Sequence, residues 1–202
     1  GVYVTHVHAD HIGGLEWVAF CTYFNPAADR PFLVFAQPLL GDLWSGSLVG
    51  GMRHNQKVER DAVLADYFRP WILEPDEPFM FGGASLKLVR STHVETSDEA
   101  ENKLNFGVLI RGPKKTIYYT GDCRPDFTRP EYEIADVVLQ ECETAPYQSG
   151  VHSHYNQILE GTVGQHALRK KMWFYHYHPD PPYNPEKDGF CGFVHKGQSF
   201  EV

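Results

Sequence analysis

Cysteine is sparse in this chain, and what there is stands apart. Cys21, Cys123, Cys142 and Cys191 form no C-x-x-C pair and no dense framework. That excludes a disulfide-stapled scaffold and fits a reducing, cytoplasmic compartment. Long apolar runs are also missing: none reaches the roughly 18 residues a membrane-spanning helix needs. Positive charge is in deficit, with 18 Lys and Arg against 26 Asp and Glu and a formal net charge of −8. A balance of that sign does not suit a general nucleic-acid coat. Internal repeats and low-complexity tracts are absent. An initiator methionine and a signal peptide are lacking too. The chain opens with Gly1, inside what reads as a strand, and the expectation is that its true N-terminal part is not included. The remaining composition, 42% apolar and 22% charged over 202 residues, fits one globular domain covering 1–202.

Histidine is what the chain has in excess, with eleven. Four metal-type side chains fall within six positions of T-H-V-H-A-D-H-I-G-G, residues 5–14. His6 and His8 are two apart, so on an extended backbone their rings point the same way. Asp10 and His11 follow where the chain must turn toward a helix, and Gly13-Gly14 permit that turn. Imidazole and carboxylate suit zinc, and also manganese or iron. One ion rarely takes four ligands from six residues. Two adjacent ions can, His6 and His8 serving one, Asp10 and His11 the other.

Further ligands are expected at strand ends, where a rigid scaffold aims them. The periodicity predicts strands over 2–5, 31–36, 67–73, 79–81, 86–92, 105–111, 116–120, 137–140, 172–177 and 190–194. Helices are expected over 15–24, from Leu39 to a stop at Gly50-Gly51, over 59–66, and across most of 156–171. The middle reads as a run of antiparallel hairpins, and the whole as sheets covered by helices, an α/β architecture. Three strand ends carry candidates. S-T-H-V-E puts His93 after L-K-L-V, Y-Y-T-G-D puts Asp122 after T-I-Y-Y-T, and M-W-F-Y-H-Y-H offers His176 or His178.

H-V-H-A-D-H, then an isolated histidine, then T-G-D, then a late histidine, resembles the metallo-β-lactamase fold superfamily over most of the chain. The resemblance is nearest to its phosphodiesterase branch, which includes ribonuclease Z and the anti-Pycsar enzymes that cut cyclic mononucleotides. It implies an αββα metallo-β-lactamase-type sandwich whose first strands would precede Gly1. It implies that His6, His8 and His93 hold one ion, that Asp10, His11 and His176 hold the second, and that Asp122 bridges both. His176 is preferred to His178 because the late ligand of the family directly follows its strand. Two such ions generate a bridging hydroxide near neutral pH and clamp the attacking and leaving oxygens of an in-line displacement. Asp10 is expected to orient that nucleophile. In V-H-S-H-Y, residues 151–155, His152 resembles the general acid of ribonuclease Z, with His154 as the alternative. Glu141 is expected to orient a histidine, and Cys123 to be a small buried residue.

A small phosphodiester such as a cyclic nucleotide is the favoured substrate. Other readings are tRNA 3′ processing, a lactone or thioester hydrolase, and a non-catalytic metal-stabilised binding protein. A tRNA nuclease needs a basic surface, yet in residues 37–80 Asp42, Glu59, Asp61, Asp66, Glu74, Asp76 and Glu77 outnumber Arg53, Lys57, Arg60 and Arg69. The segment 179–190 lies where a loop could cover the site, with Tyr183 or Phe190 placed to stack on a base. The apolar stretch 39–52 would pack inward or form a dimer face, and the resemblance favours a homodimer.

Overall fold

The structure is a computed structural model that describes residues 1–75, 77–98 and 103–202, so Asp76 lies outside the described residues. Two compact units make up the chain, Gly1–Pro75 and Asp76–Val202.

The first unit holds a three-stranded sheet of β1 (Val2–Val4), β2 (Phe32–Ala36) and β3 (Arg69–Leu73), in that order and all parallel. Parallel neighbours require a crossover. The first crossover carries the histidine loop, a short helix at Ala9–Ile12 and a longer one at Leu15–Tyr23. β2 is an unbroken apolar run, F-L-V-F-A, with Leu33, Val34, Phe35 and Ala36 buried, as a strand covered on both faces should be.

Three expectations are corrected in this unit. The stretch from Leu39 is not one α-helix ending at Gly50-Gly51. It runs as a 3₁₀ turn at Gln37–Leu39, a π-helical segment at Gly41–Leu48 and an α-helical turn at Val49–Met52 that includes both glycines. Leu43 and Leu48 are five residues apart, and the wider π turn brings both to the buried side with Met52. The helix expected over 59–66 is only Leu64–Tyr67. Its start is fixed by Asp66, whose carboxylate accepts from the Val63 N–H at 2.7 Å and from two Arg60 guanidinium nitrogens at 2.8 Å each. Tyr67 ends that helix instead of beginning a strand, because its hydroxyl is buried and donates to the Met52 carbonyl at 2.6 Å.

The second unit holds seven strands in sequence order: β4 (Phe79–Phe81), β5 (Ala84–Val94), β6 (Lys103–Arg111), β7 (Thr116–Tyr119), β8 (Val137–Glu141), β9 (Met172–Tyr175) and β10 (Gly192–Phe193). β4 to β7 pair antiparallel and β7 to β10 parallel. Gly82 and Gly83 both have positive φ, +58° and +84°, as the two-residue hairpin joining β4 to β5 demands. The stretch 156–171 is helical at Tyr155–Gly161 and His166–Arg169 only, broken where Gly164 turns at φ +76°. Val138, Met172, Phe174, Tyr155, Ile158 and Phe190 form the centre of the core. No helix among the described residues is long and apolar enough to cross a membrane.

Strand direction explains where this unit gathers polar groups. β7, β8 and β9 run parallel, so their carboxyl ends share one edge of the sheet, where ligands of α/β proteins bind. β5 is antiparallel to β6, which is antiparallel to β7, so β5 ends at that edge too.

Candidate metal centre

In the first unit the loop after β1 packs three imidazoles together. His6 is buried, and its Nε2 lies 3.1 Å from Nδ1 of His8. Two nitrogens at zinc-ligand distance on a tetrahedral ion stand about 3.3 Å apart, so this pair is spaced for one ion. Thr5 Oγ1 steadies the other side of the cluster, 3.1 Å from Nδ1 of His6 and 3.4 Å from Nδ1 of His11. Asp10 Oδ2 lies 3.4 Å from Nε2 of His11, and its side chain is 61% exposed. The donors are nitrogen and oxygen only, a set that fits zinc, manganese or iron.

In the second unit five side chains from separate places meet at the shared sheet edge. His93 lies inside β5, not after it: Thr92 pairs with Leu104 and Val94 with Lys103, leaving His93 as the extra residue of a bulge. Its ring is buried, and Nδ1–H donates to the Val151 carbonyl at 3.0 Å, so Nε2 is the nitrogen that could ligate a metal. Asp122 is buried beyond β7 after Gly121, whose φ is +62°. A Cβ there would collide with the Asn105 side-chain amide, so only glycine fits. Asn105 in turn braces the turn, donating through Nδ2 to the Thr120 carbonyl at 2.8 Å.

Glu141 ends β8 fully buried. One carboxylate oxygen accepts from the Cys123 N–H at 2.7 Å, and the other accepts from His152 Nδ1. His176 ends β9 at φ +62°, a left-handed turn that stops the strand two residues earlier than expected. That turn sets its Nε2 3.7 Å from Asp122 Oδ2 and its Nδ1 3.6 Å from Glu141 Oε1. The His152 ring sits between those of His93 and His176, with centroids 4.9 and 5.0 Å away. Asp122, Glu141, His152 and His176 each present a ligand-type atom within 4.8 Å of the others.

Electrostatics follows from these contacts. Burial pulls the His152 pKa down. The Glu141 hydrogen bond and the charges of Glu141 and Asp122 together push it up by more, and it lies above the ordinary imidazole value. Burial pushes the Cys123 thiol up to about 12, so it remains a neutral thiol beside Asp122.

Other candidates have different occupations. His178 is exposed, and its backbone N–H donates to Thr144 Oγ1 at 2.9 Å. His154 caps the helix Tyr155–Gly161: its Nδ1 accepts from the Asn156 N–H at 3.2 Å and its Nε2–H donates to the Ala145 carbonyl at 2.9 Å. With both nitrogens committed, it has no proton to offer. Tyr183 stacks on Tyr155 at 4.1 Å, and Phe190 is buried against Phe174 at 4.9 Å, so both aromatics serve the core. Sequence reasoning passed over Asn105, Gln140 and Ser153. A polar residue inside the apolar strands N-F-G-V-L-I and V-V-L-Q is the signal that could have marked the first two.

The fold is similar to that of the metallo-β-lactamase fold protein YhfI from Bacillus subtilis, with a TM-score of 0.67 and 15% identity, covering 99% of this chain and 77% of that one. It is also similar to unliganded yeast PDE1, with a TM-score of 0.64 and 13% identity over 93% of this chain and 61% of that one. The class is therefore a metallo-β-lactamase-fold protein of α/β type. A relative from Paenibacillus xerothermodurans, an anti-Pycsar protein Apyc1, is 29% identical over 207 residues, 99% of this chain and 76% of its own length. Residues 1–200 match the profile of the anti-Pycsar protein Apyc1 family, and the chain belongs to that family. It is a metal-dependent hydrolase that acts on phosphodiesters.

Proposed function

We propose that the chain hydrolyses 3′,5′-cyclic mononucleotides at a two-metal centre. In this reading His6, His8 and His93 would hold one ion, Asp10, His11 and His176 the other, and Asp122 would serve as a ligand to both. Zinc suits the donor set first, with manganese or iron as alternatives. When bound, the ions supply a hydroxide nucleophile at neutral pH and offset the charge building on the phosphate.

The residues of the chain do the rest. Asp10 orients the nucleophile by hydrogen bonding. His152, anchored through Nδ1 to Glu141, presents its other nitrogen as the proton donor. As the P–O3′ bond breaks, the proton on Nε2 passes to the departing oxygen, leaving a neutral imidazole held by Glu141. The raised pKa favours the protonated form that this step consumes.

The observation that carries the reading is the Glu141–His152 pair beside Asp122 and His176 on one sheet edge. A hydrolase whose substrates release a stable anion has no need of such an acid. The acidic balance of residues 37–80 supports a compact substrate over tRNA. We include three further assignments: residues 1–202 act as one metallo-β-lactamase-like domain, two copies form a homodimer, and the protein works in the cytoplasm, as its four free cysteines suit. The test is a panel of metal-loaded hydrolysis assays with 3′,5′-cyclic mononucleotides, a tRNA precursor and a lactone. The cyclic nucleotides should be cut fastest. Faster cleavage of the precursor or the lactone overturns the proposal.

A further inference from the structure

Ser153 lies between the acid and the structural core, and its contacts all lead to the site. It is fully buried. Its Oγ–H donates to the Cys123 carbonyl at 2.7 Å, and the same oxygen accepts from Gln140 Nε2 at 3.3 Å. Gln140 is itself locked, donating to the Glu141 carbonyl at 3.0 Å and accepting from the Tyr132 hydroxyl at 2.5 Å. The Ser153 carbonyl accepts from the Glu143 N–H at 2.9 Å.

Two neighbours give these bonds their meaning. Ser153 directly follows His152, and Cys123 directly follows Asp122. One hydroxyl therefore ties the segment bearing the acid to the segment bearing the bridging carboxylate, while Gln140 registers both against the end of β8. Packing alone does not require a hydroxyl here, because alanine fills nearly the same space. We propose that Ser153 is a positioning residue: its clamp sets the distance from the His152 imidazole to the departing oxygen. This rests on the proposed role of His152.

A positioning role through the acid has a signature that a merely structural role lacks. A cyclic nucleotide expels an alkoxide and needs the proton from His152, whereas bis(p-nitrophenyl) phosphate expels a phenolate that departs as an anion. Displacing an acid by a fraction of an ångström is costly for the first substrate and nearly harmless for the second.

The experiment compares S153A, H152A and the double variant S153A/H152A on both substrates, with metal content and Tm recorded for each. S153A should lower kcat on the cyclic nucleotide about tenfold, with KM and kcat on bis(p-nitrophenyl) phosphate within about twofold. In the H152A background it should add nothing, and metal content should match the parent. Equal loss on both substrates, or a further loss in the double variant, overturns the proposal. If H152A shows the leaving-group dependence and S153A does not, only the clamp is wrong. If H152A itself lacks that dependence, the acid assignment falls with it.

Discussion

The loop after β1 and the carboxyl edge of the seven-stranded sheet each gather imidazole and carboxylate groups, but by different routes. In the first unit four donors come from six consecutive residues, and local turns make the geometry: an extended His6-Val7-His8, then a helix start at Ala9. In the second unit the donors are spread from His93 to His176, and the sheet makes the geometry through strand direction, a bulge and two left-handed turns. The first arrangement is cheap to encode and partly open to solvent, as Asp10 shows. The second has a buried floor of His93, Asp122 and Glu141 with His152 and His176 nearer the solvent, and it is only as sound as the core that sets the register. Damage to that core should therefore reach the chemistry, whereas damage to the surface of the first unit away from the histidine loop should not.

The largest effect is expected at the edge of the second unit. If Asp122 is the proposed bridge, Asp122→Ala should abolish turnover of cyclic nucleotides, since the neighbouring carboxylate of Glu141 is already engaged by the Cys123 N–H and His152; retained activity in a hydrolysis assay refutes the bridge. Glu141→Gln keeps an acceptor for His152 but loses the charge, and should lower kcat about 10- to 100-fold while the protein still binds metal. An unchanged kcat would detach Glu141 from the reaction.

The comparison sharpens in stability. Phe174→Ala empties the core of the second unit two residues before His176, and should cost about 3–5 kcal/mol in urea unfolding. Trp17, 74% exposed on the helix after the histidine loop, should tolerate alanine within about 0.5 kcal/mol. Similar losses from the two changes would erase the contrast.

The smallest effect is a pH dependence in the first unit. The Arg60 hydrogen bonds hold the Asp66 carboxyl below its ordinary value against the opposing effect of burial, and the Val63 N–H adds to them. Its folded pKa is thus below the unfolded one. The stabilisation is present at neutral pH, fades as pH falls through the ordinary carboxylate range, and is gone below the folded pKa. Asp66→Asn should be less stable than the parent at pH 7, with the gap closing on acidification. A gap that widens toward low pH contradicts the cap.

Much of the molecule is legible in its sequence, for identifiable reasons. H-x-H-x-D-H announces itself because its donors are contiguous, and the strand ends at Asp122, Glu141 and His176 are marked by apolar runs that stop at a polar residue. The bulge at His93 is not legible, because it depends on the register between β5 and β6, which only pairing reveals. Nor is the capping role of His154: the adjacent H-S-H carries no local signal for which ring faces the edge and which faces the helix. The π-helical segment escapes because Leu39, Leu40, Leu43, Trp44 and Leu48 read as ordinary helical spacing, and only the structure shows the wider turn. The helix over 59–66 fails because the Arg60–Asp66 bonds override propensity.

Metal content per chain, measured by mass spectrometry on the reconstituted protein, tests the central claim most directly. Two ions per chain are expected in the parent and at most one in Asp122→Ala. A parent that binds a single ion, or a variant that keeps both, would contradict it.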